Sequence, residues 1–145
     1  MKAVKLALAG LGLEPHQLAV VSGIGQASKL PHYTRCNTFN GLHGRTLPVA
    51  TAIRLVNHDL PVIAVTGDGD CYGEGGNHLL HAMRRNINVA VFVHDNPVYA
   101  LTNGQASPTS LPGLVTETQP LGVPPDPPHP RAPAVPATAG FGRRA

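Results

Sequence analysis

Apolar residues in the first hundred positions fall into short blocks with two kinds of spacing. Some blocks are nearly continuous runs of small or branched apolar residues, which predict strands at 18–22, 61–66 and 88–94. Others repeat apolar residues at helical spacing, which predicts helices at 2–11, 46–57 and 76–86. Strands that alternate with helices are typical of an α/β protein with a parallel sheet.

The later strand runs, "VIAVT" and "VAVFV", lack alternation between apolar and polar residues. Continuous apolar strands are typical of parallel sheets covered by helices on both faces, so both strands are expected to be buried. Thr46 is a plausible N-cap for the second helix, and Pro48 suits its first turn. The fold class predicted is therefore a doubly wound, mostly parallel α/β sheet.

The composition changes near residue 122. Residues 123–145 hold seven of the fifteen prolines and no apolar periodicity. Such a segment lacks backbone donors and bulky apolar groups, so it is expected to be a disordered, Pro-rich tail. The domain division predicted is 1–122, an incomplete α/β domain, followed by the tail. Three strands would leave a sheet edge uncovered, which predicts poor stability for the isolated chain.

Net charge and cysteine usage exclude several classes of protein. The charge of +3 divides into +1 for residues 1–122 and +2 for the tail, without a basic face carrying aromatic residues, so nucleic acid is not an expected partner. No apolar run reaches the length of about 18 residues that a membrane span needs. Two cysteines, Cys36 and Cys71, make no disulfide framework and favour a reducing cytoplasm.

Hard oxygen ligands follow two of the predicted strands. Asp68 and Asp70 come after one strand, and Asn96 comes after the next. Parallel strands end at the same edge of a sheet, so these side chains are expected to converge there. Carboxylate and amide oxygens suit Mg²⁺, and Gly67 and Gly69 would let the backbone approach a diphosphate. Two ordinary tight turns remain the alternative interpretation.

The motif "GDG", 26 residues and then "N" resembles the thiamine diphosphate-binding motif. Three further stretches extend the resemblance: "VSGIGQASKLPHY", "LHGRTLPVATAIRL" and "DNPVYALTNGQASPTS". Together, over residues 2–122, they are similar to the thiamine diphosphate-binding β subunit of 2-oxoacid:ferredoxin oxidoreductases, most of all the 2-oxoglutarate type. The fold implied is the thiamine diphosphate-binding fold.

The resemblance also implies roles for individual residues. Mg²⁺ would be held by the side chains of Asp68 and Asn96 and by the carbonyl of Val98. The catalytic candidates are His43 and Lys29, although a solvated surface lysine remains an equal interpretation of Lys29. The residues implied in cofactor binding are Ile24, Gly25, Gln26, Ala27, His43, Gly67, Asp68, Gly69, Asp70, Asn96, Tyr99, Ala100 and Leu101.

The activity implied is oxidative decarboxylation of a 2-oxoacid, 2-oxoglutarate above others, to acyl-CoA with electrons passed to ferredoxin. Its cofactors would be thiamine diphosphate and Mg²⁺, and its partners an α subunit, with γ and δ subunits as further candidates. An iron–sulfur cluster is expected in the complex, but the chain has no Cys-x-x-Cys. Gln26 stands where members of the family commonly carry a cysteine, although glutamine there resembles a variant within the family.

Two alternative functions remain open. One is an inactive relic, shortened or frameshifted after residue 122, that keeps the binding fold. The other is a metal- or phosphate-binding module without catalysis.

Overall fold

The computed structural model describes residues 2–125 of the chain. The predicted tail lies outside the described residues except for its first three positions. The strands are β1 (Ala19–Ser22), β2 (Asn37–Asn40), β3 (Val62–Gly67), β4 (Ala90–His94), β5 (Val98–Tyr99) and β6 (Gln105–Ala106). The α-helices are α1 (Lys2–Gly10), α2 (Thr46–Val56) and α3 (Gly76–Arg85). None of the helices in residues 2–125 is long and apolar enough to cross a membrane.

Four strands form one parallel sheet in the order β2-β1-β3-β4, and β5 and β6 form a small antiparallel pair. Ala19 of β1 pairs with Asn37 on one side and with Val62 on the other, and Ile63 of β3 pairs with Ala90 of β4. The predicted parallel sheet is thereby confirmed. β2 was not predicted from the sequence, because "NTFN" is mostly polar and is exposed along its whole length.

Helices cover both faces of the sheet's centre. On one face, apolar residues of α2 and α3 pack against Val21, Val62 and Ala64. On the other face, α1 and the 3-10 helix Ala27–Tyr33 pack against Val20 and Val65. This two-sided packing confirms the doubly wound class, and it places the core around β1 and β3.

The prediction that both later strands are covered holds for β3 and is wrong for β4. All but the last residue of β3 are buried, whereas four of the five residues of β4 are exposed. Val91 and Phe92 are 38% and 45% exposed. β4 forms the edge of the sheet, and within residues 2–125 no strand pairs with its outer side. The apolar composition of a strand shows that its side chains could be buried. Whether they are buried depends on the position of the strand, and an edge strand has a neighbour on one side only.

The start of α2 differs from the prediction in one respect. Arg45 precedes the helix, and Thr46 is its first residue rather than its N-cap. The hydroxyl of Thr46 donates to the carboxylate of Asp70 at 3.0 Å instead of bonding its own helix. An ionised carboxylate accepts stronger hydrogen bonds than a neutral group does. The Thr46 hydroxyl therefore bonds to Asp70 rather than to the backbone of its own helix.

The described fold continues slightly past residue 122. Val123 is buried and exchanges backbone hydrogen bonds with the 113–114 segment: its N–H donates to the carbonyl of Leu114 at 3.0 Å, and its carbonyl accepts from Gly113 at 2.9 Å. The division at 122 remains a prediction for the positions beyond 125.

Candidate functional site

A cavity of about 470 Å³ opens at the carboxyl edge of the sheet. Its wall is built from the loops that follow β1, β3 and β4, with His43 added from the segment before α2. Because parallel strands all end at this edge, these four stretches of sequence meet around one space. Val4 of α1 adds a fifth contribution to the wall.

Every residue implied in cofactor or metal binding lies on the wall of this cavity. They are Ile24, Gly25, Gln26, Ala27, His43, Gly67, Asp68, Gly69, Asp70, Asn96, Val98, Tyr99, Ala100 and Leu101. Lys29 is exposed on the 3-10 helix and is not part of the wall, although its neighbour Leu30 is. The binding roles of these residues, and the catalytic roles of His43 and Lys29, stay predictions.

Asp68 lies at the end of β3 and is only 1% exposed. The hydroxyl of Thr109 donates to Asp68 Oδ2 at 2.6 Å and also lies 2.7 Å from Asp95 Oδ1. The carboxylate is therefore held in place without a positively charged side chain beside it. Sequence reasoning missed both Thr109 and Asp95, although both lie in the block that begins "DNPVYA".

Asp70 connects the loops around the cavity. Its Oδ1 accepts from the backbone N–H groups of Ile24 at 3.2 Å and Gly44 at 2.8 Å. Its Oδ2 accepts from the hydroxyls of Thr46 at 3.0 Å and Thr66 at 2.5 Å. Both carboxylate oxygens are thus occupied by donors of the protein, and Asp70 ties the end of β3 to the loop after β1 and to the start of α2. Its contact with a diphosphate stays a prediction.

His43 is placed beside the same carboxylate. Its Nδ1 lies 2.9 Å from Asp70 Oδ1 but does not meet the geometry of a hydrogen bond. The imidazole ring is also 6.1 Å from the ring of Tyr99, tilted by 54°. These two neighbours orient the ring at the cavity wall.

Tyr99 lies directly on the glycine turn after β3. A Cβ on Gly69 would collide with the Tyr99 ring, and the phenol donates to the Gly69 carbonyl at 3.1 Å. Burial raises the pKa of Tyr99, and the nearby carboxylates of Glu74, Asp68 and Asp70 raise it further. The phenol therefore stays protonated near neutral pH and remains a donor.

Gly44 yields a test of the loop before α2. Its φ of +71° lies in the left-handed region, and an added Cβ would come within 2.5 Å of the Glu74 backbone. Gly44→Ala is therefore expected to lower the free energy of unfolding by about 2 kcal/mol. Urea denaturation measures this loss. Gly76→Ala is the matched control, since its Cβ would meet nothing within 4 Å. Equal stability of the two variants would contradict the argument.

Cys71 yields a second test. Burial raises the pKa of its thiol to about 12, with a further contribution from Asp70. Only the thiolate reacts with alkylating reagents, so at pH 8 native Cys71 should resist iodoacetamide. Cys36, which is partly exposed, should be modified first. Mass spectrometry of the native protein measures the order of modification, and both cysteines should react once the chain is denatured. Preferential labelling of native Cys71 would show that the loop around Asp70 is open.

The cavity wall suits an anionic cofactor that brings its own metal ligands. It combines two deeply buried carboxylates, Asp68 and Asp70, with the amide of Asn96 and glycine backbone at Gly67 and Gly69. Within residues 2–125 no group of three or more His, Cys, Asp or Glu could hold a metal by itself. Mg²⁺ in proteins is usually bound by only a few protein oxygens, and phosphate oxygens supply further ligands. The fold and site therefore define an α/β domain with an open cavity, lined by glycine backbone and carboxylates, at the carboxyl edge of its parallel sheet.

Comparison with known proteins identifies the family of this domain. Residues 17–141 match the family described as thiamine pyrophosphate enzyme, C-terminal TPP binding domain. This chain belongs to that family, which confirms the thiamine diphosphate-binding fold expected from its motifs.

Two similar curated proteins are subunits of 2-oxoacid oxidoreductases. The chain is 46% identical over 135 residues to the 2-oxoglutarate oxidoreductase subunit KorB of Mycobacterium tuberculosis, which covers 93% of this chain and 36% of the relative. It is 45% identical over 124 residues to subunit beta of the 2-oxoacid:ferredoxin oxidoreductase 2 of Aeropyrum pernix, covering 86% of this chain and 40% of the relative.

A solved structure agrees with these relatives. The 2-oxoglutarate:ferredoxin oxidoreductase from Magnetococcus marinus, with 2-oxoglutarate, coenzyme A and succinyl-CoA bound, superposes with a TM-score of 0.82 at 40% identity, covering 87% of this chain and 43% of that one. The resemblance to the β subunits of 2-oxoacid:ferredoxin oxidoreductases is thus confirmed. The chain spans only about two fifths of the length of these relatives.

Proposed function

We propose that this chain is the thiamine diphosphate-binding part of a 2-oxoacid:ferredoxin oxidoreductase that acts on 2-oxoglutarate. The observation that carries the proposal is the cavity at the carboxyl edge, where the buried Asp68 shares one wall with Asn96 and Val98. The similarity to KorB-type subunits supports the enzyme class and the substrate.

Thiamine diphosphate would supply the chemistry, by stabilising the carbanion left when a 2-oxoacid loses carbon dioxide. This chain would contribute the binding site. Asp68, Asn96 and the Val98 carbonyl would hold Mg²⁺, while the glycine turn at Gly67 and Gly69 gives the diphosphate close access to the backbone. His43 borders the same cavity and is positioned to contact the cofactor or the substrate.

The remaining components of the reaction lie on other chains in this proposal. An α subunit, with γ and δ subunits in some arrangements, completes the active site, and coenzyme A accepts the acyl group. An iron–sulfur cluster in the complex carries electrons to ferredoxin. We place the complex in the cytoplasm, because Cys36 and Cys71 are both free thiols in the described fold.

The test is turnover by the chain assembled with its partner subunits. With thiamine diphosphate, Mg²⁺ and coenzyme A present, 2-oxoglutarate should reduce ferredoxin, and omission of thiamine diphosphate should stop the reaction. Pyruvate in place of 2-oxoglutarate tests the substrate assignment.

Two other outcomes would replace the proposal. Tight thiamine diphosphate binding without turnover would identify an inactive relic. Failure to bind thiamine diphosphate at all would leave a non-catalytic phosphate- or metal-binding module.

A further inference from the structure

A short turn outside the glycine motif lies behind the cavity wall and contacts the wall residue Asp68. Residues 107–110, "SPTS", here called the 107–110 clasp, lie beyond the β5–β6 pair. Ser107 and Ser110 are 8% and 2% exposed although they are polar. Burial of a hydroxyl costs free energy unless the group is hydrogen-bonded. The hydrogen bonds of these residues therefore identify the segments that the clasp connects.

Bonds inside the clasp fix its shape. The N–H of Ser107 donates to Ser110 Oγ at 2.8 Å, and the N–H of Ser110 donates to the carbonyl of Ser107 at 3.1 Å. The turn is thereby closed on itself before it contacts any other segment. A closed turn presents its remaining hydroxyl groups in fixed directions.

Bonds leaving the clasp reach both loops of the predicted metal site. Ser110 Oγ donates to the carbonyl of Pro97 at 2.7 Å, which fixes the peptide group directly before Val98. Thr109 Oγ1 contacts Asp68 Oδ2 after β3 and Asp95 Oδ1 after β4, at 2.6 and 2.7 Å. Two consecutive residues of the clasp thus join the ends of neighbouring strands.

The two contacts of Thr109 cannot both be full hydrogen bonds. A hydroxyl carries a single hydrogen, so it serves one carboxylate at a time or is shared between them. Two carboxylates and a hydroxyl oxygen are therefore crowded at one point, and a cation beside Asp68 would relieve the repulsion.

We infer that Thr109 is a positioning residue for the metal ion and that the 107–110 clasp keeps the two loops close enough to share it. Thr109 orients the carboxylate of Asp68, and Ser110 orients the 97–98 peptide. The inference rests on the proposed function, because it takes Asp68 as a ligand of Mg²⁺. Residues that orient metal ligands commonly change metal affinity about 10- to 100-fold when they are replaced.

The test compares variants of the full chain by calorimetric titration of Mg²⁺ at saturating thiamine diphosphate. Thr109→Val keeps the shape and removes the hydroxyl, so it should raise the Kd for Mg²⁺ about tenfold. Thr109→Ser restores the hydroxyl and should return the Kd to near that of the wild type. Thr118→Val is the matched control, since its hydroxyl contacts only Thr116 at an exposed position.

The outcomes separate this inference from the proposed function. If Thr109→Val melts as the wild type does without ligand and binds Mg²⁺ equally well, the inference is overturned. If Asp68→Ala also binds normally, the proposed function fails with it. Loss of binding in Asp68→Ala alone leaves the proposed function intact and overturns only the role of Thr109.

A measurement on the wild type covers the case in which Thr109→Val does not fold. Addition of thiamine diphosphate and Mg²⁺ should slow amide hydrogen exchange in the 107–110 clasp as well as in the 67–70 turn. Protection of the turn with unchanged exchange in the clasp would contradict the inference.

Discussion

Replacement of Asp70 by alanine is expected to unfold most of the isolated chain at room temperature. The change removes the acceptor for two backbone N–H groups and two threonine hydroxyls at a site that is 3% exposed. Each buried donor left without a partner costs about 1–3 kcal/mol, so the summed loss should reach about 4 kcal/mol or more even after water enters. That loss is close to the whole stability of many small domains. Urea denaturation followed by circular dichroism measures it.

Asp70→Asn is the matched comparison, because it keeps the size and shape of the side chain. Its amide oxygen can still accept from Ile24 and Gly44, and its NH₂ group can donate to the hydroxyls of Thr46 and Thr66 once these rotate to accept. We expect a loss of only about 1 kcal/mol for this variant. Destabilisation of the asparagine variant as severe as that of the alanine variant would show that the negative charge, rather than the hydrogen bonds, stabilises the loops.

Replacement of Asp68 by alanine is expected to abolish Mg²⁺-dependent binding of thiamine diphosphate. Asp68 is buried on the cavity wall and accepts a hydrogen bond only from Thr109 among the bonds described, so it has an oxygen available for a metal ion. If Asp68 is a direct ligand as proposed, its removal should cost more affinity than the change of a residue that only orients it. We therefore expect the Kd for the cofactor to rise by more than about a hundredfold. Calorimetric titration of thiamine diphosphate, with and without Mg²⁺, measures the change.

The control for this prediction is Asp59→Ala, since Asp59 is exposed and lies away from the cavity. It should bind the cofactor as the wild type does. The free energy of unfolding should also distinguish Asp68→Ala from Asp70→Ala. Asp68 accepts one described hydrogen bond, from Thr109, whereas Asp70 accepts four. Loss of Asp68 should therefore weaken cofactor binding much more than it destabilises the fold. Equal cofactor affinity in the Asp68 and Asp59 variants would remove the basis for the Mg²⁺ site.

The sequence predicted the parts of the fold that local patterns control. α2 and β3 begin and end within one residue of their expected positions, because their apolar spacing and their flanking residues agree. β2 was missed since "NTFN" has neither a continuous nor an alternating apolar pattern, and it joins the sheet through backbone pairing with β1. The exposure of β4 was mispredicted because composition does not state whether a neighbouring element is present.

The candidate site shows the same division. The motif identified the turn at Asp68 and the loop at Asn96, because the residue types of the ligands and their spacing can be recognised in the sequence. The partners of those ligands were not visible, because Thr109 is 41 residues from Asp68 and meets it only after the sheet has formed. Likewise Asp70 was assigned to the wall of the site, whereas the structure adds the donors that converge on it from the loop after β1, the start of α2 and the end of β3. Long-range hydrogen bonds of this kind carry no local signal.

The open side of β4 has a practical consequence for anyone who handles this protein. Its backbone N–H and C=O groups on that side have no strand partner within residues 2–125, and Phe92 stands beside them partly in water. Such a row is a template onto which any extended polypeptide can add. During overproduction, neighbouring molecules are expected to associate along this edge, so dilute solutions and low temperature should favour recovery of unaggregated protein.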